Sequence, residues 1–265
     1  MRRLRFTSIQ APNADALCRN IVNWVSESTG LRVHFDETPT WQEREQLFES
    51  GEIHGIWMCG LPYVLKADQG ELPIKLLAAP VMAGMRYQHQ PVYYSDVVVR
   101  QDSPYHSFAD LRGASWAYNE PHSHSGYNLT CYYLASLGES ERFFGQAIQA
   151  GAHQVALEMV LAGDVDASAI DSTVLETELR RKPQIANQLR VIERLGPSPI
   201  PPWVVHKSMP DELYASLQQA FLSMHTHPDG MQVLSEGSIE RFVRVSDRDY
   251  DPIREMTRIA QKVHL

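Results

Sequence analysis

The residues best equipped for chemistry lie in the stretch NEPHSHSGYN, residues 119–128. An alternating run, ASWAYN, leads into it and an amphipathic run, SGYNLTCYYLASLG, leads out, so it spans a strand end and a helix start. The first N–H groups of a helix have no intrahelical acceptor and lie at the positive end of the macrodipole, which favours an anion there. Ser123 and Ser125 add hydroxyl donors, and Gly126 lets a ligand approach the backbone. The ordinary alternative is a serine N-cap in a turn. The same stretch holds His122 and His124, and HTHP further on holds His225 and His227 at the same spacing. Such a pair shares a metal only when a third ligand converges. Neither stretch has an Asp, Glu or Cys at ligand spacing, so the expectation is no metal site and no cofactor.

Two later stretches repeat the strand, small-residue loop, helix arrangement. AGAHQVALEMV places His153 at a helix start, where it either donates to a ligand oxygen or faces solvent as a polar cap. DVDASAIDSTVLE places Asp171 at a strand end, where it either caps the next helix or faces a ligand amine or hydroxyl. Tyr93 and Tyr94 sit side by side in a strand, so only one of them can face a given cleft. No GxSxG elbow, P-loop, HExxH or GxGxxG is present, and the chain reads as a binder more than an enzyme.

The elements that must position these residues alternate. LRFTSI reads as a strand, ADALCRNIVNWVSES as a helix with Asn13 as N-cap and Gly30 as its stop, and LRVHF as a second strand. TWQEREQLFESG is a short helix capped by Thr40 with Glu43 three residues on; IHGIWM and IKLLAAPV are further strands. PVYYSDVVVR is a long strand, after which a second series of strands and helices runs to LRVIERLG. PSPIPPWVVH, with its prolines, reads as an extended connector, and PDELYASLQQAFLSMH and DPIREMTRIAQKVHL as closing helices packed on the first lobe. The class is therefore α/β: two lobes with two extended crossovers, residues 1–95 with 203–265, and residues 96–202. Ligands in such sheets sit beyond the carboxyl ends of strands, which adds WMCGLPY, with Cys59 and Gly60, to the search.

Bulk properties limit the partners. The chain has 265 residues, 43% of them hydrophobic, and a formal net charge of -8 with no basic block, which argues against nucleic acid. No apolar run reaches the length of a membrane span. The three cysteines, Cys18, Cys59 and Cys131, form no CxxC pair and read as buried thiols. MRRLRFTSI lacks an apolar leader segment, which leaves two expectations: a cytoplasmic protein if Met1 is the native start, or a periplasmic one whose leader has been removed.

The stretches YYSDVVVRQDSPYHSFADLRGASWAYNEPHSHSGYN and AGAHQVALEMVLAGDVDASAIDSTVLE together resemble the phosphate/phosphite/phosphonate substrate-binding proteins of ABC transporters. The shared features are a tyrosine-bearing strand, S-x-x-D-L-x-G, a serine and glycine helix start, a Gly-x-His loop and G-x-V-D-A…D…V-L-E. The resemblance implies a type 2 periplasmic-binding-protein fold with two Rossmann-like lobes, a small oxyanion held between them by hinge closure, and a transporter permease as partner. It also implies a ligand set of Cys59, Gly60, Tyr93, Tyr94, Ser123, His124, Ser125, Gly126, His153 and Asp171. The family often has Ser-Thr-Ser-Gly where this chain has Ser123-His124-Ser125-Gly126, so a hydroxyl is exchanged for a bulkier, titratable donor and a shifted ligand preference is expected. The alternative is a cytoplasmic sensor or enzyme of the same fold acting on another small metabolite.

Overall fold

The computed structural model describes residues 3–70, 74–139 and 142–265. The chain divides into two compact units, Met1–Val92 with Pro199–Tyr250, and Tyr93–Ser198 with Asp251–Leu265.

The first unit is built on a six-stranded sheet. Its strands are β1 (Leu4–Ser8), β2 (Val33–Phe35), β3 (Gly55–Trp57), β4 (Ile74–Met82), β10 (Trp203–His206) and β11 (Ile239–Val243), in the order β11-β4-β10-β3-β1-β2. β1 is parallel to both β2 and β3, as βα crossovers require, but β10 runs antiparallel between β3 and β4. Helix α1 (Asp15–Thr29) buries Ile21, Val22 and Val25 and ends at Gly30 in the left-handed conformation. Helix α2 (Trp41–Glu49) starts with the expected capping box between Thr40 and Glu43. Helix α3 (Gly60–Gln69) follows β3, while α7 (Asp211–Ser223) and α8 (Pro228–Glu236) close the unit. The core centres on Phe6, Ile56, Trp203, Phe221 and Phe242, with Trp57 stacked on Trp203 at 5.6 Å between ring centres.

The second unit has a five-stranded sheet of β5 (Val92–Arg100), β6 (Ser115–Tyr118), β7 (Gln146–Gln149), β8 (Ala167–Asp171) and β9 (Leu189–Pro199), in the order β7-β6-β8-β5-β9. β6 is parallel to β7 and β8, and β5 is antiparallel to β8. One consequence decides the site: the carboxyl ends of β6, β7 and β8 share an edge with the beginning of β5. Helices α4 (Leu129–Ser136), α5 (His153–Ala162), α6 (Ser172–Arg181) and α9 (Asp251–Ala260) cover it. Its core holds Val97, Phe108, Trp116, Leu129, Phe143 and Phe144 together with Ala260 and Val263 from the C-terminal segment.

Several expectations need correction. The chain passes between the units after Val92, Ser198 and Tyr250, so the divisions fall a few residues before 95 and 202, and residues 251–265 join the second unit rather than the first. The cause is the apolar stripe of α9, whose Ile253 and Ala260 are buried, packing along α4. WVVH is no connector but the strand β10, all but its last residue fully buried. Helix α1 begins after a 3-10 turn at Pro12–Ala14, so its N-cap is Ala14, not Asn13. Helices α3 and α8 and strand β11 have no counterpart in the sequence reading.

Candidate functional site

The edge formed by the ends of β6, β7 and β8 and the start of β5 gathers eight of the ten expected residues: Tyr93, Tyr94, Ser123, His124, Ser125, Gly126, His153 and Asp171. Cys59 and Gly60 belong to the first unit. There Cys59 is the N-cap of α3 and makes no side-chain capping bond, and Gly60 is buried.

Ser123 is the N-cap of the helix after β6, and its hydroxyl oxygen accepts the Gly126 N–H at 3.1 Å. The first turn, His124–Asn128, is a π turn, closed by the Asn128 N–H on the Ser123 carbonyl at 3.0 Å. The N–H groups of His124 and Ser125 precede that first bond of the ladder and point out of the helix end. Ser125 is held from two sides: its hydroxyl lies 3.0 Å from His153 Nε2, and its carbonyl accepts the Ser95 hydroxyl at 2.8 Å. Gly126 is required here for space. A Cβ at this position would lie 2.0 Å from Asn119 Oδ1 and 3.1 Å from His153 Cε1.

Asp171 closes the edge. Ser95 lies directly opposite it in the β5–β8 pairing. Asp171 is also the N-cap of α6, as its bland reading had it: Oδ1 accepts the Thr173 N–H at 2.8 Å and the Thr173 hydroxyl at 2.7 Å. Burial nevertheless pushes its pKa up to about 6, with the nearby Asp96 adding to the rise, and no cationic side chain among the described residues counters it. Asp96 itself is buried, with Arg194 Nε 3.9 Å away. His153 is buried, and desolvation pushes its pKa down to about 4, partly offset by the Ala169 backbone. The ring is therefore neutral at pH 7. Of the two tyrosines, Tyr93 is buried with its ring 6.4 Å from that of His124, and Tyr94 is partly exposed.

His124 differs most from expectation. Its side chain is fully buried and turned into the second unit. Nδ1 is 3.0 Å from Asn128 Nδ2 and Nε2 is 2.9 Å from Ser198 Oγ, so both ring nitrogens are already used. What His124 presents at the helix end is its backbone N–H, so the imidazole does not replace a hydroxyl donor as its residue type suggested. The sequence reading missed Ser95, Asn119, Asn128 and Ser198. Of these, Ser95 was accessible from the two-residue step beyond Tyr93 on the same strand face. Among the described residues, no group of three or more His, Cys, Asp or Glu is placed to hold a metal ion, and no helix is long and apolar enough to cross a membrane.

Comparison with known proteins gives consistent results. The sequence profile of the family described as "ABC transporter, phosphonate, periplasmic substrate-binding protein" matches residues 6–250. The phosphonates-binding periplasmic protein of Escherichia coli K12 is 25% identical over 171 residues, 63% of this chain and 50% of that protein. The chain thus spans about half the length of this curated relative in the match. A binding protein component of an ABC phosphonate transporter from Pseudomonas aeruginosa superposes with a TM-score of 0.83 at 21% identity, covering 97% of this chain and 86% of that one. PhnD1 from Prochlorococcus marinus, solved with methylphosphonate, gives a TM-score of 0.83 at 18% identity, covering 98% of both chains. At these identities the two structures establish the type of fold.

Proposed function

The chain belongs to the periplasmic phosphonate substrate-binding protein family of ABC transporters, and on that premise we propose that it captures a small phosphonate-like or phosphate-like oxyanion and hands it to a transporter permease. The observation that carries the reading is the convergence of the Ser123–Gly126 helix start, Ser125 with its His153 partner, and Asp171 on one sheet edge. The helix start and its hydroxyls supply hydrogen-bond donors to oxyanion oxygens. The protein acts as a carrier in this reading: Ser125 and His153 orient a ligand, and among the described residues no carboxylate is bonded to His153 Nδ1 to orient it as a catalytic base.

The charge of the edge narrows the ligand. Its donors are neutral, its buried carboxyl is Asp171, and Asp96, which has Arg194 Nε 3.9 Å away, adds to the rise of the Asp171 pKa. A carboxylate cannot donate to a phosphoryl oxygen, but it accepts from an ammonium. A zwitterionic aminoalkylphosphonate therefore suits the site better than a simple alkylphosphonate. Isothermal titration with phosphate, phosphite, methylphosphonate and 2-aminoethylphosphonate should give heat with at least one, and most strongly with the last. Four flat traces would remove the ligand class. Asn also caps helices, so Asp171→Asn keeps α6 intact. It should weaken 2-aminoethylphosphonate roughly tenfold to a hundredfold, as expected for losing a charged hydrogen-bond partner, while changing methylphosphonate far less. Equal losses for both would remove Asp171 from amine recognition.

A further inference from the structure

His124 stands between the two serines of the oxyanion loop, yet its ring makes a closed set of contacts inside the second unit. The hydrogen-bond directions in that set are fixed by chemistry. An amide nitrogen can only donate, so Asn128 Nδ2 gives one proton to His124 Nδ1 at 3.0 Å and the other to Thr257 Oγ1 at 3.3 Å. Thr257 in turn donates to the Ile253 carbonyl at 2.7 Å. With Nδ1 accepting, the neutral ring carries its proton on Nε2 and donates it to Ser198 Oγ at 2.9 Å, and the Ser198 hydroxyl is directed at Met256 Sδ, 3.6 Å away. Each donor proton in this set meets an acceptor, and the tautomer that allows it is the one with its proton on Nε2.

The partners come from three separate segments: the first turn of the loop helix, the last residue of the second unit before the chain leaves it, and the C-terminal helix α9. We propose that His124 is a positioning residue: its imidazole is a strut that holds the oxyanion loop in its π-turn register and ties that loop to Ser198 and α9, without touching the ligand. The identity of the loop as the ligand loop rests on the function proposed above. The strut explains why a bulky residue is tolerated where the family resemblance expects a threonine: the side chain points away from the helix end. Relaxing the π turn to α register would rotate the helix start, Ser125 included, by one helical step, about 100°, relative to the residues after it, and turn Ser125 away from His153.

Three arms test this. Long-range 15N NMR of the imidazole in the intact protein, without added ligand, should show a protonated, slowly exchanging Nε2 and an unprotonated Nδ1. Hydrogen exchange of the amides at 124–128 should accelerate about tenfold in His124→Asn, which keeps the acceptor but loses the donor to Ser198, and likewise in Ser198→Ala. His124→Gln, which keeps that donor, should recover most of the protection. Affinity for 2-aminoethylphosphonate should fall about tenfold in His124→Asn and Ser198→Ala. An Nδ1–H tautomer, or equal exchange in the Asn and Gln variants, would overturn the strut. So would unchanged affinity in both weakened variants when the wild type binds. A wild type that binds none of the probes would sink the function instead, leaving the tautomer and exchange arms to decide the strut.

Discussion

Gly126→Ala should remove oxyanion binding and lower stability by about 1–3 kcal/mol, the range for forcing a methyl group into a packed site. The added carbon would lie 2.0 Å from Asn119 Oδ1, well inside contact distance, and 3.1 Å from His153 Cε1. The cost is steric rather than conformational, because Gly126 lies in the helical first turn and alanine is a good helix former. Asn119 has little room to yield: the residue is nine-tenths buried, and its backbone carbonyl is held by the Gly151 N–H at 2.7 Å. Either Asn119 is displaced or the helix start moves, and the second outcome breaks the 3.0 Å contact between Ser125 and His153. Chemical denaturation and titration with 2-aminoethylphosphonate read the two effects separately. A companion variant isolates the cause. Asn119→Ala in the Gly126→Ala background should restore at least half of the lost stability, a coupling of the size expected for touching side chains. If Gly126→Ala is as stable as the wild type, or the two substitutions simply add, the close approach has no energetic meaning.

The loop around Gly126 could be read in the sequence because its signals are local. A period-2 run ends at Asn119, a helical run begins near Ser123, and the residues between are N-cap and turn formers. Three such junctions in one series also imply that their loops meet, since parallel strands carry their carboxyl ends to the same edge. That is how Ser125, His153 and Asp171 could be grouped before any distance was known.

What could not be read depends on partners distant along the chain. Trp203–His206 holds a three-residue apolar run, Trp203–Val205, behind Pro199, Pro201 and Pro202. The prolines correctly bar a helix, but nothing local says that the residues after them insert between β3 and β4. Helix α9 shows the same limit. Its apolar stripe announces burial, while the choice of the second unit is made by α4 and by the hydrogen bond from Asn128, 129 positions away, to Thr257. His124 is the sharpest case. A histidine between two serines at a helix start looks like a ligand group, and only Ser198, 74 positions on, turns it into a structural one.

Lowering the pH from 7 to 5 should destabilise the second unit, and His124 and His153 are the cause. Burial holds their pKa values at about 3 and about 4, below the 6.5 of a free histidine. Between these limits the unfolded chain binds protons that the folded chain refuses, so stability rises with pH there and is lost as pH falls below 6.5. Each buried ring then costs about 2 kcal/mol at pH 5 relative to pH 7. Asp171 works in the opposite sense. Its folded pKa, about 6, lies above the ordinary 3.8, so the folded state takes up a proton first and regains about 1 kcal/mol over the same interval. The net loss is about 2–3 kcal/mol, which lowers the melting temperature by roughly 5–10 °C. Calorimetry at pH 7, 6 and 5 tests the sign, and His124→Gln tests the source. That variant cannot take up the proton, so its stability should fall less steeply, by about 2 kcal/mol over the interval. An unchanged slope in His124→Gln would mean that the ring is not held neutral by its surroundings. The two histidines also separate by role: a variant of His153, which touches Ser125, should flatten the same slope while weakening 2-aminoethylphosphonate directly.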